Sequence, residues 1–218
     1  MLALICCTLI LTILGGLANI ENTTSQEINQ PQEVYEVVYH DTMSLLFFET
    51  TLEGLESRAV HIVRGRIGDD AATILDYSYE FDPPWFVMGY TGVSFEIYEV
   101  IKGDLVVGDT IRILEPHYVR NGIQFIRHNY MPSIPHQEYI FFLGHQIDPE
   151  WLADDQQALA HMFSVAHGSN GRFLVPEHRN FTPHNFNATD LSLGTGQGMF
   201  NIDLHMRLWR EVIAAYMD

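Results

Sequence analysis

Between Val93 and Pro116 apolar and polar positions alternate in two runs, "VSFEIYEVIK" and "TIRILEP", and this period of two predicts a pair of strands joined through "GDLVVGD". In the first run the apolar parity is Val93, Phe95 and Ile97, then Tyr98, Val100 and Ile101; the shift after Ile97 predicts a β-bulge, a device by which strands bend into barrels. The second run places Ile111 and Ile113 on one face. Upstream, "AVHIVRGRI" (59–67) reads as a strand rich in β-branched residues. It follows a short helix that Thr50 and Glu53 open as a capping box, with Leu52 and Leu55 on its buried side. Downstream, "EYIFFLG" (138–144) is apolar on both faces and is expected to be central in its sheet. "HMFSVAHG" and "GRFLVP" are expected to form a hairpin about Asn170-Gly171. Residues 69–89, interrupted by Pro83-Pro84, read as a strand or loop followed by a mobile connection. In residues 201–218 the period becomes helical, with Leu204, Leu208, Val212 and Ala215 in a stripe widened by Trp209, Ile213 and Tyr216. The expected fold is mainly β: a small closed or partly open β-barrel with a short N-terminal helix and a C-terminal helix.

The ends of the chain add a compartment. Residues 1–18 carry an apolar run of signal-peptide length followed by small residues at Gly16 and Ala18, without a preceding Lys or Arg. They are expected to be a signal peptide or an uncleaved membrane anchor; the two differ in whether the mature chain begins at Asn19. Residues 19–41 read as a polar linker and 42–218 as one β-barrel domain with its C-terminal helix. The expected location is extracytoplasmic, either secreted or anchored at the outer face of the membrane. Both cysteines, Cys6 and Cys7, fall in the leader, so the domain has neither a disulfide framework nor a Cys nucleophile.

Charge narrows the partners. The formal net charge is −17, from 28 acidic residues against 11 basic ones, of which Lys102 is the only lysine. Such a surface repels phosphate backbones, so nucleic acid is excluded as a partner, and anionic lipid is not bound through surface charge. The same repulsion favours a monomer. A membrane is expected to be met only through residues 1–18, if these are retained.

The densest polar cluster lies in residues 115–138, expected as a loop on the barrel, with His117, Tyr118, Arg120, Arg127, His128 and His136 as candidate ligand-binding residues. Neither H-x-x-x-H on a helix nor H-x-H on a strand occurs, so no metal and no cofactor is assigned. "GDD" (68–70) and "ADD" (153–155) suit turns, and "GTGQG" (194–198) lacks the Lys-Ser/Thr of a phosphate loop. No catalytic residue is designated.

"LEGLESRAVHIVRGRI", "FEIYEVIKGDLVVGDTIRILEP", "EYIFFLG" and "GSNGRFLVP" together resemble, in that order, a group of small exported bacterial proteins of uncharacterised function, whose hallmarks are a "KGD...GDTI" hairpin and an "eYllFL" strand. The same order is similar to the OB-type barrel of netrin-like modules. The resemblance implies a barrel with a flanking helix and transfers no activity. Residues 147–161 look like an insertion relative to that group. The expectation is a non-enzymatic binding module for a protein or cell-envelope ligand. The alternatives are a metal-dependent enzyme using loop His and Asp residues, and a membrane-tethered structural domain.

Overall fold

The computed structural model describes residues 36–40, 49–79, 82–127, 130, 132–166, 168–176 and 202–217. The leader, the first part of the linker, His128 and the "GTGQG" stretch lie outside the described residues. In chain order the elements are β1 (Glu36–His40), α1 (Leu52–Arg58), β2 (His61–Ile67), β3 (Ala72–Ser78), β4 (Trp85–Lys102), β5 (Thr110–Glu115), β6 (His117–Arg120), β7 (Ile123–Arg127), β8 (Glu138–Gln146), β9 (Phe163–Val165), β10 (Arg172–Leu174) and α2 (Ile202–Tyr216).

Five strands close on themselves: β2 lies between β4 and β8, β4 leads to β5, β5 pairs in parallel with β9, and β9 returns to β8. The fold is therefore mainly β, a closed five-stranded barrel of the OB type with one helix before it and one after. The bulge expected after Ile97 is present. The β2–β4 register passes from Gly65↔Ile97 to Arg64↔Glu99, leaving Tyr98 extra, and a second jump leaves Ile101 extra. These two residues bend β4 around the barrel.

Side chains from all five barrel strands, among them Val63, Phe95, Ile113, Phe141 and Phe163, fill the interior. A second core lies outside the barrel wall, where Ile62, Ile140, Phe142 and Phe173 meet Leu55 of α1 and Leu208, Trp209 and Val212 of α2. Strand β8 serves both: Tyr139, Phe141 and Leu143 point in, and Ile140 and Phe142 point out. That double duty is why "YIFFL" shows no polar alternation.

Helix α1 is capped by Thr51, whose Oγ1 accepts from Gly54 N at 3.1 Å, one residue later than the capping box placed it. Thr50 instead offers its carbonyl to Arg207 Nη2 of α2 at 2.6 Å. The lone lysine finishes the same helix. Lys102 Nζ donates to the carbonyls of Glu56 and Ala59 at 2.5 and 2.6 Å, placing a cation where the helix dipole is negative. Lys102→Met is therefore expected to lower the unfolding free energy by about 1 kcal/mol in urea denaturation, with no change in the m-value.

Several expectations are corrected. β9 and β10 do not pair with each other; they occupy successive stretches of one edge of β8, at Leu143–Gln146 and Tyr139–Phe141, joined by a 3₁₀ turn over Gly168–Gly171. The nine residues of β8 are long enough to take both. Where the sequence suggested a mobile connection there is an arm: β3 pairs antiparallel with Trp85–Gly92, and β4 continues from the arm into the barrel without a break. The prolines lie in the turn beyond Ser78, where a missing N–H takes nothing from a ladder. The first half of the stretch 115–138 is not a loop. β6 and β7 form a hairpin about Asn121 and Gly122, at φ 54° and 74°, the geometry that an Asn-Gly turn supplies. Finally, Glu36–His40 at the end of the expected linker is strand β1, parallel to β7. The insertion at 147–161 folds as two 3₁₀ turns, Pro149–Trp151 and Asp154–Leu159.

Candidate functional site

The candidate residues divide across strand β6, whose alternate side chains face opposite ways. His117 turns inward to a buried polar node. Tyr118 and Arg120 belong to an aromatic face shared with the arm.

The node centres on Glu115, which is 2% exposed at the end of β5. Its Oε1 accepts from Tyr130 Oη at 2.8 Å and from Ser133 N at 3.2 Å, and also from the Ser133 hydroxyl. Its Oε2 lies 3.0 Å from His117 Nε2. Thr91 commits its hydroxyl hydrogen to the His117 carbonyl at 2.8 Å, leaving its oxygen as an acceptor 3.3 Å from His117 Nδ1. Both ring nitrogens thus lie within reach of side-chain oxygens. Arg172, 5% exposed on β10, donates from Nη1 to Ser133 Oγ at 3.0 Å and lies over the rings of Tyr130 and Tyr139 at 5.3 and 5.0 Å.

Burial alone would raise the Glu115 carboxyl. The hydrogen bond and charge of His117, the Arg172 guanidinium and the Ser133 hydroxyl outweigh it and hold the group down at about 2. Burial and the Glu115 charge push the Tyr130 phenol well above its usual value. A carboxylate this weakly basic does not take a proton from Ser133, and a phenol this weakly acidic does not give one up. The node is a latch that ties β5, β6 and β10 to Tyr130 and Ser133.

The face is built from five rings in sequence: Tyr79 lies 6.5 Å from Tyr77, Tyr77 is 5.6 Å from Phe86, Phe86 is 5.5 Å from Tyr118, and Tyr118 stacks on Phe125 at 4.9 Å. Tyr118 reaches the arm because residue 89 is glycine. A Cβ there would stand 2.4 Å from the Tyr118 ring, so the ring lies directly on the backbone of β4. Arg120 places its guanidinium 4.3 Å over Phe86, and Arg127 lies 5.5 Å from Tyr90 with Nη1 against the Met88 sulfur at 3.5 Å. Beyond the packed rings the arm carries Tyr79, Val87 and Trp85 into solvent, with Trp85 70% exposed. The segment between β8 and β9 braces this end: Gln156 Nε2 donates to both carboxylate oxygens of Asp76 at 3.2 Å, and Trp151 on the same segment is exposed.

The structure brings Tyr118, Arg120 and Arg127 together and does not bring His136 to them. His136 is exposed at φ 65°, 3.7 Å from Asp69 at the end of β2. Among the described residues no three His, Cys, Asp or Glu side chains stand together to hold a metal. Glu115, Tyr130, Ser133 and Arg172 were absent from the candidates. A signal for Glu115 existed, because it continues the inward parity of Ile111 and Ile113 and so places a carboxylate on a buried face.

The fold and these two constellations define a small OB-type barrel with an aromatic-arginine face on one arm and a latched polar node behind it. No family model matches the chain, and no curated protein matches it.

Proposed function

We propose that this chain is an exported, non-enzymatic binding module that takes a protein or cell-envelope ligand on the face of the β3–β4 arm and the β6–β7 hairpin. The observation that carries the reading is the exposure of Tyr79, Val87 and Trp85 on an arm whose Phe86 also holds the stacked Arg120 guanidinium. Large aromatic side chains and Arg supply most binding energy in interfaces, and clustered exposed apolar side chains mark interaction surfaces. In OB-type barrels the connection after the first strand and that between the fourth and fifth flank the binding surface. Here these are the arm and the braced 147–161 segment. The node supports a non-enzymatic reading, since Glu115 and Tyr130 are held too far from neutral pH to exchange protons. The bacterial envelope setting rests on the leader-like residues 1–18 and the sequence resemblance.

The test is retention of the intact protein on envelope fractions of cells expressing it, with Trp85→Ala and Arg120→Ala compared against wild type. Trp85→Ala is expected to weaken retention at least tenfold while leaving the unfolding free energy within about 0.5 kcal/mol of wild type, because an exposed side chain contributes little to folding. Equal retention of both variants and wild type, or turnover abolished by substituting one polar residue, overturns the proposal.

A further inference from the structure

Helix α2 covers the outer core through a buried histidine. His205 is 6% exposed, its ring lies flat on Phe173 with centroids 5.3 Å apart and planes 9° apart, and its Nδ1 is 3.4 Å from Asn170 Oδ1. Leu208, Trp209 and Val212 continue the same stripe into the outer core, and Trp209 Nε1 donates to Leu174 O at 2.8 Å. Among the described residues the barrel interior draws none from α2. The helix and the barrel therefore have separate sources of stability.

We propose that α2 is an acid-released cover: protonation of His205 undocks the helix from the outer wall while the barrel remains folded. The charged groups around the helix set the sign. Arg172 of β10, whose charge is met by Glu115, adds a smaller repulsion to the burial that disfavours a proton on His205. Asn170, from the turn before β10, is an uncharged partner. At the far end of the helix Tyr216 binds Glu56 of α1, and Arg64 of β2 lies 3.3 Å from the Met217 sulfur. Asp203, Arg207, Arg210 and Glu211 on α2 itself are exposed.

Burial and the Arg172 charge push His205 from 6.5 down to about 3. The docked helix therefore holds a neutral ring at acidities where the undocked helix takes up a proton. Docking is at full strength above pH 6.5 and weakens as the pH falls from 6.5 toward 3, about tenfold per unit, which is roughly 100-fold at pH 4.5. Glu115 keeps its charge at pH 4.5, so the latch inside the fold outlasts the docking of the helix. An outer face formed by Ile62, Ile140, Phe142 and Phe173 is uncovered in acid and covered again at neutral pH.

The test is hydrogen exchange by mass spectrometry on the full chain at pH 7.5, 5.5 and 4.5, corrected for intrinsic rates, on wild type, His205→Gln and His205→Phe. Protection across residues 204–216 is expected to fall roughly 100-fold in wild type between pH 7.5 and 4.5, with β2, β4 and β8 unchanged. In both variants, which cannot titrate at this position, that pH dependence is expected to be lost. An unchanged pH dependence in the variants, or helix and barrel losing protection together, overturns the proposal. Should neither variant fold, the wild-type profile decides: selective loss over the helix upholds it, and constant protection of the helix down to pH 4.5 overturns it.

Discussion

Glu115→Ala is expected to lower the unfolding free energy by about 3–5 kcal/mol and the melting temperature by roughly 10 °C. The carboxylate is the common partner of His117, Tyr130 and Ser133, and it neutralises Arg172. Its removal leaves a buried guanidinium without its counter-charge and several donors without acceptors, which is the costly way to break a buried ion pair. Glu115→Gln keeps an acceptor for Tyr130 and loses the charge, so its loss is expected to be smaller. The pH dependence separates this group from others. Because the folded carboxyl is held at about 2 against 4.5 when free, its contribution is complete above pH 4.5 and disappears as the pH falls from 4.5 toward 2. Urea titrations from pH 7 to pH 3 should show that slope in wild type and its absence in Glu115→Ala. A variant as stable as wild type would mean that the node is not a latch.

Phe141→Ala and Phe142→Ala are each expected to cost about 3–5 kcal/mol, through different parts of the molecule. Phe141 is fully buried inside the barrel, edge-on to Phe95 at 5.1 Å, and its loss opens a cavity that every barrel strand feels. Phe142 is equally buried outside the wall, between Phe173 at 5.7 Å and Tyr216 at 6.3 Å, where its loss loosens α2 and α1 first. Hydrogen exchange distinguishes them. Phe141→Ala should lower protection uniformly, whereas Phe142→Ala should lower it more over residues 204–216 than over β4 and β5. Identical patterns from the two would mean that the two cores unfold as one.

Elements set by local pattern were legible in the sequence. Strand β8, the bulge at Tyr98 and the existence of both helices follow from runs whose periodicity has one reading. The face of α2 followed except at its edges. Leu208, Val212 and Trp209 are buried as expected and Leu204, Ile213 and Tyr216 pack against them, whereas Ala215 is exposed and the buried His205, flat on Phe173, was not anticipated. Of the two Asn-Gly pairs, Asn121-Gly122 turns a hairpin and Asn170-Gly171 does not. Asn121-Gly122 adopts positive φ, whereas Gly171 meets a different demand, a Cβ there standing 1.7 Å from the Ala166 carbonyl oxygen. The face was legible only as residue types. Tyr118 and Arg120 were chosen, but what they stack on, Phe86 and Tyr77, comes from an arm read as a connection broken by Pro83-Pro84. Pairings that distant in the chain leave no periodic trace.

Strand β4 is one uninterrupted run of 18 residues that pairs first with β3 in the arm and then with β2 in the barrel wall. A load applied at Trp85 is consequently borne in shear by the ladder to β3 and passes along one backbone into the closed wall, with no hinge between them to yield. The arm is mechanically a lever built into the barrel, so force at its tip reaches the closed wall directly.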